Sequence, residues 1–283
     1  MKTKFFKYHA AGADFLLADR CEIRDPLTVD LVAMLCDRHK GIGAGGMIVL
    51  EDASKDAPGA AFYARYYRPD GTEITLPGNA GWCVGLTARH RGIGGDALCF
   101  ATSSGLREAT VIAGDDHRGR VRLSMPDVTV WEFMTRSLIV DLGESHCVEF
   151  LKQFSPVEIE KRLGVIRRSE QFSVHGGIVP NFVDLLSDGT LQVQSYDRSA
   201  VLPAPVTAES TVACALAANL LCFPDRTTVH LQTVDDRFSV SFEKSAFGRY
   251  EKITAEGPAV RIFECEVDTE NFQVSDSQFK KNN

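Results

Sequence analysis

Two segments, Asn79 to Ala88 (NAGWCVGLTA) and Thr211 to Leu221 (TVACALAANLL), are small or apolar around almost the whole circumference of a helix. A helix without a polar face cannot lie at a surface, so other elements must enclose each of them. Both are preceded by residues able to cap a helix, Asn79 in PGNAGWC and Ser210 or Thr211 in ESTVAC. They lie about half a chain apart, which predicts a pseudo-duplicated architecture with one central helix per half. The material to enclose them is short and β-like: strand candidates fall at 15–19, 46–51, 62–67, 138–143, 182–187, 191–196, 228–234 and 238–243. Thr28 to His39 and Pro156 to Leu163 have amphipathic spacing and read as surface helices packed on sheet.

The balance of the chain excludes several classes. Lysine and arginine number 31 against 38 acidic residues, a formal charge of −7, so nucleic-acid backbone binding is not expected. With 44% apolar and 24% charged residues in 283, the chain can bury a sizeable core and is long enough for two moderate domains. No stretch approaches the roughly 20 apolar residues of a membrane span, and the start MKTKFFKYHAAGADF lacks a signal peptide's apolar run, so a cytoplasmic location is expected. The eight cysteines are scattered without a CxxC pair, which argues against zinc ribbons and disulfide frameworks, and no metal site is expected.

Read in order, KYHAAGADF (7–15), LCDRHKGIGAGGMIVLE (35–51), YYRPDGTEITLPGNAGWC (66–83), VDLGESHCVEF (140–150), YDRS (196–199), STVACALA (210–217) and EGPAVRIFECEVD (256–268) resemble the diaminopimelate epimerase family over nearly the whole chain. The resemblance implies an α/β (α+β) fold of two pseudo-symmetric domains, each a curled, mostly antiparallel sheet or barrel around a central helix. Residues 1–121 with 266–283 would form the first domain and 122–265 the second. It also implies an active site between the domains, with both central helices aiming their N-termini at a substrate carboxylate. Unpaired N–H groups and the helix dipole favour an anion there and stabilise charge developing beside it. The family uses one cysteine at each helix start and no cofactor; its members are often homodimers.

The resemblance makes Cys214 the second of these cysteines, in the first turn after Ser210 and Thr211, where the helix start would lower its pKa. Where the family has CGNGxR this chain has PGNAGW, so Pro77, which can neither accept nor donate a proton, stands in place of the first cysteine. Cys83 matches a family cysteine that does no chemistry. The substrate-facing asparagines are replaced by Ala13, Arg68, Glu144 and Val179. Asp197 and Arg198 match the family's Glu-Arg pair, which orients the substrate's amino and carboxylate groups. An extra AVLPAPVTAE stretch then precedes Ser210, and the glycines after the second cysteine become Ala215 and Ala217. The binding set implied by the match is thus Ala13, Arg68, Gly78, Asn79, Ala80, His146, Asp197, Arg198, Ser210 and Thr211.

Changes concentrated on ligand-facing positions, with DRHKGIG, PDGTE and GPAVRIFE intact, point to a changed substrate. An unpaired buried amine or carboxylate of diaminopimelate would cost about 1–3 kcal/mol. One base suffices for a suprafacial 1,3-proton shift, and the phenazine-biosynthesis isomerase, similar in fold, uses a single carboxylate on a small unsaturated acid. Cys214 or Glu144, with His146 in reach, are the candidates here. Glu144 has a structural alternative, pairing with Arg68, while Arg68 has a functional one, clamping a substrate carboxylate. His9 and His39 read as structural, and Asp70 and Glu73 as turn and cap residues. The leading expectation is therefore a cofactor-independent isomerase of specialised metabolism acting on a small amino or unsaturated carboxylic acid. The alternatives are an epimerase recruiting Glu209 or Thr207 from the 199–209 loop, and a ligand-binding paralogue without chemistry.

Overall fold

The same order of elements occurs twice along the chain. The first half runs β1 (Lys2–Ala10), β2 (Ala13–Asp19), α1 (Val29–Cys36), β3 (Met47–Glu51), β4 (Tyr63–Tyr67), β5 (Glu73–Ile74), α2 (Gly78–His90), β6 (Ala97–Thr102), β7 (Gly105–Gly114) and β8 (Arg118–Ser124). After a short β9 (Trp131–Phe133), the second half runs β10 (Leu138–Asp141), β11 (Ser145–Phe150), α3 (Pro156–Arg168), β12 (Val179–Leu185), β13 (Leu191–Tyr196), β14 (Pro203–Ala204), α4 (Ala208–Leu221), β15 (Thr228–Gln232), β16 (Arg237–Lys244) and β17 (Tyr250–Asp268). This computed structural model describes residues 2–269 apart from 24–26, 54–56, 96, 116, 129–130, 135, 171–176 and 246–248. The terminal stretch 270–283, expected to complete the first domain, lies outside the described residues.

Pairing repeats as the order does. In the first half β1 pairs antiparallel with β2, β2 parallel with β3, β3 antiparallel with β4, β4 parallel with β6, and β6, β7 and β8 follow antiparallel. In the second half the corresponding series is β10, β11, β12, β13, β15, β16 and β17, with the parallel steps again at β11–β12 and β13–β15. Each parallel step needs a crossover, and in both halves the second crossover is the central helix. The long β17 serves both sheets: it pairs with β16 as far as Glu256, with β8 from Gly257 to Val260, and with β1 from Val260 to Asp268. It thereby closes the first barrel, while a bridge between Val128 and Tyr250 ties β17 to the chain ahead of β9, which itself pairs with β10.

The two central helices are enclosed as their composition demands. Every residue of α2 from Gly78 to Ala88 is buried, and in α4 only Glu209 among residues 208–219 is partly exposed. Small residues let the sheet close on α2. A Cβ at Gly81 would lie 2.6 Å from Leu123 Cδ2, and one on Gly257 of β17 would lie 2.4 Å from the Trp82 ring. Trp82 satisfies its buried indole by donating to Ala255 O at 3.0 Å. α1 and α3 lie outside the barrels, each over a separate apolar cluster.

The helix starts differ from expectation by a few residues, and the difference matters. α2 begins at Gly78 with Pro77 as its N-cap, one residue before the expected Asn79. α4 begins at Ala208 with Thr207 as its N-cap, ahead of Ser210 and Thr211, because the Thr207 hydroxyl accepts the Ser210 N–H at 3.0 Å. The Thr211 hydroxyl instead donates to Ala208 O at 2.7 Å, inside the first turn. No helix among the described residues is long and apolar enough to cross a membrane.

Candidate active site

The starts of α2 and α4 meet and cap each other. Asn79, the second residue of α2, accepts the Ala208 N–H of α4 on Oδ1 at 2.7 Å and donates through Nδ2 to Ala10 O and Val206 O. Reciprocally Glu209, the second residue of α4, accepts the Gly78 N–H of α2 on Oε1 at 2.8 Å. Orphan N–H groups at each helix start are thus met by a side chain from the other half, and a carboxylate sits where two positive helix ends converge.

Beside this junction a cavity of about 690 Å³ lies between the halves. Arg68, Pro77 and Arg107 line it from the first half, and Glu144, Arg198, Thr207 and Glu209 from the second. Burial pushes the Glu209 carboxyl above the ordinary carboxylate range, and the charge of Glu144 adds to this, while its own N–H, the Gly78 N–H and Arg107 oppose it. Arg107 is only 8% exposed, and donates to Ser124 O at 2.8 Å. Burial lowers its pKa, against which the charge of Glu209 acts. Arg68 is exposed and its side chain makes no hydrogen bond or ion pair among the described residues.

Three of the residues expected at the site line the cavity: Arg68, Glu144 and Arg198. Glu144 pairs with Arg198, 3.1 Å from Nη1, and not with Arg68. Arg198 is nearer in the fold because it follows β13 on the same half as Glu144. Cys214 is placed elsewhere. It lies in the second turn of α4, seven positions beyond the cap, is 0% exposed, and packs in the main apolar core. Burial raises its thiol pKa far above the ordinary value, the opposite of the expected activation. His146 is fully buried on β11, where burial and the Arg198 charge push its pKa down to about 3; its Nδ1 faces Asn181 Nδ2 at 3.4 Å and its Nε2 has no partner among the described residues. The Asp197 carboxylate is turned into its own loop, accepting Val201 N–H at 3.0 Å, Leu202 N–H at 2.9 Å and the Ser199 hydroxyl. Ala13 and Val179 do not line the cavity, nor do Gly78, Asn79, Ala80, Ser210 and Thr211, which form the buried helix junction behind it.

Two residues gain importance over the sequence reading. Glu209 and Thr207 stood there only as polar groups on a loop, whereas they open α4 at the cavity wall. Arg107 went unnoticed. Its signal is an arginine in phase with Ala109 and Val111, the inward face of β7.

A profile of the diaminopimelate epimerase family matches residues 5–131. A diaminopimelate epimerase of Flavobacterium psychrophilum is 28% identical over 268 residues, covering 93% of this chain and 100% of the relative. The chain is similar to the diaminopimelate epimerases along nearly its whole length. One of Aquifex aeolicus is 27% identical over 231 residues, 77% of this chain and 81% of the relative. The same fold occurs in a phenazine biosynthesis protein of the PhzF family from Bacillus anthracis, TM-score 0.71 at 12% identity over 95% of this chain and 99% of that one. It also occurs in a methylitaconate-delta-isomerase, TM-score 0.70 at 12% identity over 98% of both chains. These relatives identify the chain as an isomerase of the epimerase type. At the two helix starts, where the resemblance implies cysteines, the N-caps are Pro77 and Thr207. The end of the stretch that looked like an insertion, AVLPAPVTAE, is the cap and first turn of α4.

Proposed function

We propose that the protein is a one-base isomerase that moves a carbon-bound proton on a small amino or unsaturated carboxylic acid, with Glu209 as the acid/base. The observation that carries this reading is the Glu209 carboxylate at the junction of two helix starts, on the wall of the interdomain cavity, with a raised pKa. A carboxyl so shifted titrates closer to neutrality than an exposed one and can both take and return a proton. Its oxygen would remove a proton from a carbon near the substrate carboxylate, and the C–H electron pair would enter the adjacent π-system. Arg107 and the positive helix ends would stabilise the charge so formed. The new O–H bond would then break as the same proton is delivered to the γ-carbon on the same face. Pro77, across the junction, has no group for a second, opposite-face transfer.

The reaction draws on side chains of the chain itself. The departures at substrate-facing positions support a role in specialised metabolism over turnover of diaminopimelate. The test is incubation with candidate acids in heavy water, following carbon-bound deuterium by NMR. Wild type should incorporate deuterium, and Glu209→Gln, which can still accept the Gly78 N–H, should lose about 10²–10⁴-fold in rate. An unchanged rate in Glu209→Gln would remove this assignment. Absence of exchange with any ligand that binds the cavity would favour the non-catalytic paralogue.

A further inference from the structure

The groups on the cavity wall are unevenly provided for, and the imbalance describes the ligand. Every carboxylate lining it already holds a donor. Glu209 takes the Gly78 N–H, Glu144 takes Arg198, and at the rim Asp141 takes the Gly143 N–H and Asp127 the Lys252 N–H. Asp197, matched to the residue that would orient an amino group, is spent on three donors of its own loop. Among the described residues, no lining carboxylate thus presents two unpartnered oxygens to an ammonium.

Two of the three lining arginines are in the opposite state, Arg198 being the one already paired. Among the described residues, Arg107 makes one hydrogen bond, to a carbonyl, and Arg68 makes none through its side chain. A guanidinium offers five donors in a planar fork that matches a carboxylate, and a largely buried one held by a single carbonyl is incompletely satisfied. Arg107 reaches the cavity from β7, and Arg68 from the turn after β4. We infer that the substrate is a small dicarboxylate without an amino group, one carboxylate held by Arg107 and the other by Arg68. The inference rests on the cavity being the substrate site, as proposed above, and adds the class of acid it takes.

Binding tests this without requiring turnover. Isothermal titration would compare succinate, glutarate, adipate and pimelate with aspartate, glutamate, 2-aminoadipate and 2,6-diaminopimelate, and with butyrate as a monoacid. At least one diacid should bind about tenfold or more tightly than its amino counterpart and than butyrate. Arg68→Gln and Arg107→Gln should each weaken that diacid about tenfold to a hundredfold, with Arg107→Lys retaining part of the affinity. Arg68 is exposed, so its variant keeps the test usable even if changing buried Arg107 disturbs folding. Tighter binding of any amino counterpart, equal binding of butyrate, binding of no diacid, or indifference to Arg68→Gln would each overturn the inference. An unsaturated analogue of that diacid that binds through both arginines without deuterium exchange would uphold it while removing the proton-transfer reading. Exchange confined to an amino acid would do the reverse.

Discussion

Replacing Asn79 by alanine tests the junction on which the site depends. The side chain is 1% exposed and makes three hydrogen bonds to other segments: to Ala10 O at 3.1 Å, to Val206 O at 3.2 Å, and from Ala208 N–H at 2.7 Å. At a net value of about 1 kcal/mol for each, Asn79→Ala should cost about 3 kcal/mol, and more if the Ala208 N–H stays dry. Asn79→Asp should cost at least as much, although it keeps the acceptor. It removes both donations and sets a buried carboxylate against two carbonyl oxygens. Urea unfolding followed by tryptophan fluorescence measures both, with the slope checked against wild type so that a changed denatured state is not mistaken for a lost contact. A loss below about 1 kcal/mol for both variants at unchanged slope would show that these bonds do not hold the two helix starts together, and the argument for a shared site would fall with them.

Gly78→Ala should push the helix starts apart, since the added Cβ would lie 2.4 Å from Ala208 Cβ and 3.2 Å from Glu209 Oε1. A loss of about 1–3 kcal/mol in the same melts, with at least a tenfold slower deuterium exchange, is expected. Cys214→Ser places a hydroxyl in apolar surroundings and should cost about 1–3 kcal/mol while leaving the exchange rate unchanged, and iodoacetamide should label the exposed Cys21 well before Cys214. The raised pKa of Glu209 means that the folded protein holds this proton more tightly than the unfolded chain does. Its contribution is complete below the unfolded value near 4.5 and is lost as pH rises through the folded one, so Glu209→Gln should gain stability relative to wild type across that window, read from melts between pH 4 and 8. Arg162→Met would leave Glu149, 2% exposed and bound to Arg162 by two contacts of 2.6 Å, without its counter-charge, and should cost about 3–5 kcal/mol in urea.

Much of the scaffold is legible in the order of residues. The eight expected strands are present with ends moved by a few positions, and the two apolar helices are the central ones. β7 and β8 escaped notice because arginines interrupt their alternation: RGRVRLS buries Gly119, Val121 and Leu123 while its arginines stay partly or fully exposed, so the period of two is present but not apolar enough to announce itself. β17 was hidden for another reason. Its 19 residues serve two sheets and have no single inward face along their length. The scaffold motif DRHKGIG is readable in physical terms, since Asp14 of β2 ties down Arg38 of that loop and also Lys7.

The site was less legible. Glycine and alanine runs say that a helix will be enclosed, but not at which residue it starts. Start and side-chain phase decide everything for Cys214, because a shift of a few positions carries a thiol from the cleft into hydrocarbon. Several residues ahead of Ser210 could cap a helix, and the choice of Thr207 over the others is made by how the second barrel closes around α4 and where its tip meets α2.

Composition and pattern alone determined that this chain makes two halves, each wrapped on a buried helix, because an all-apolar helix has no stable alternative in water. Which groups face the ligand was decided only in three dimensions. Glu209 and Gly78 are 131 residues apart in the chain, and no local propensity connects them. Their contact, and the cavity beside it, exist because two separately patterned barrels present their helix ends to the same point.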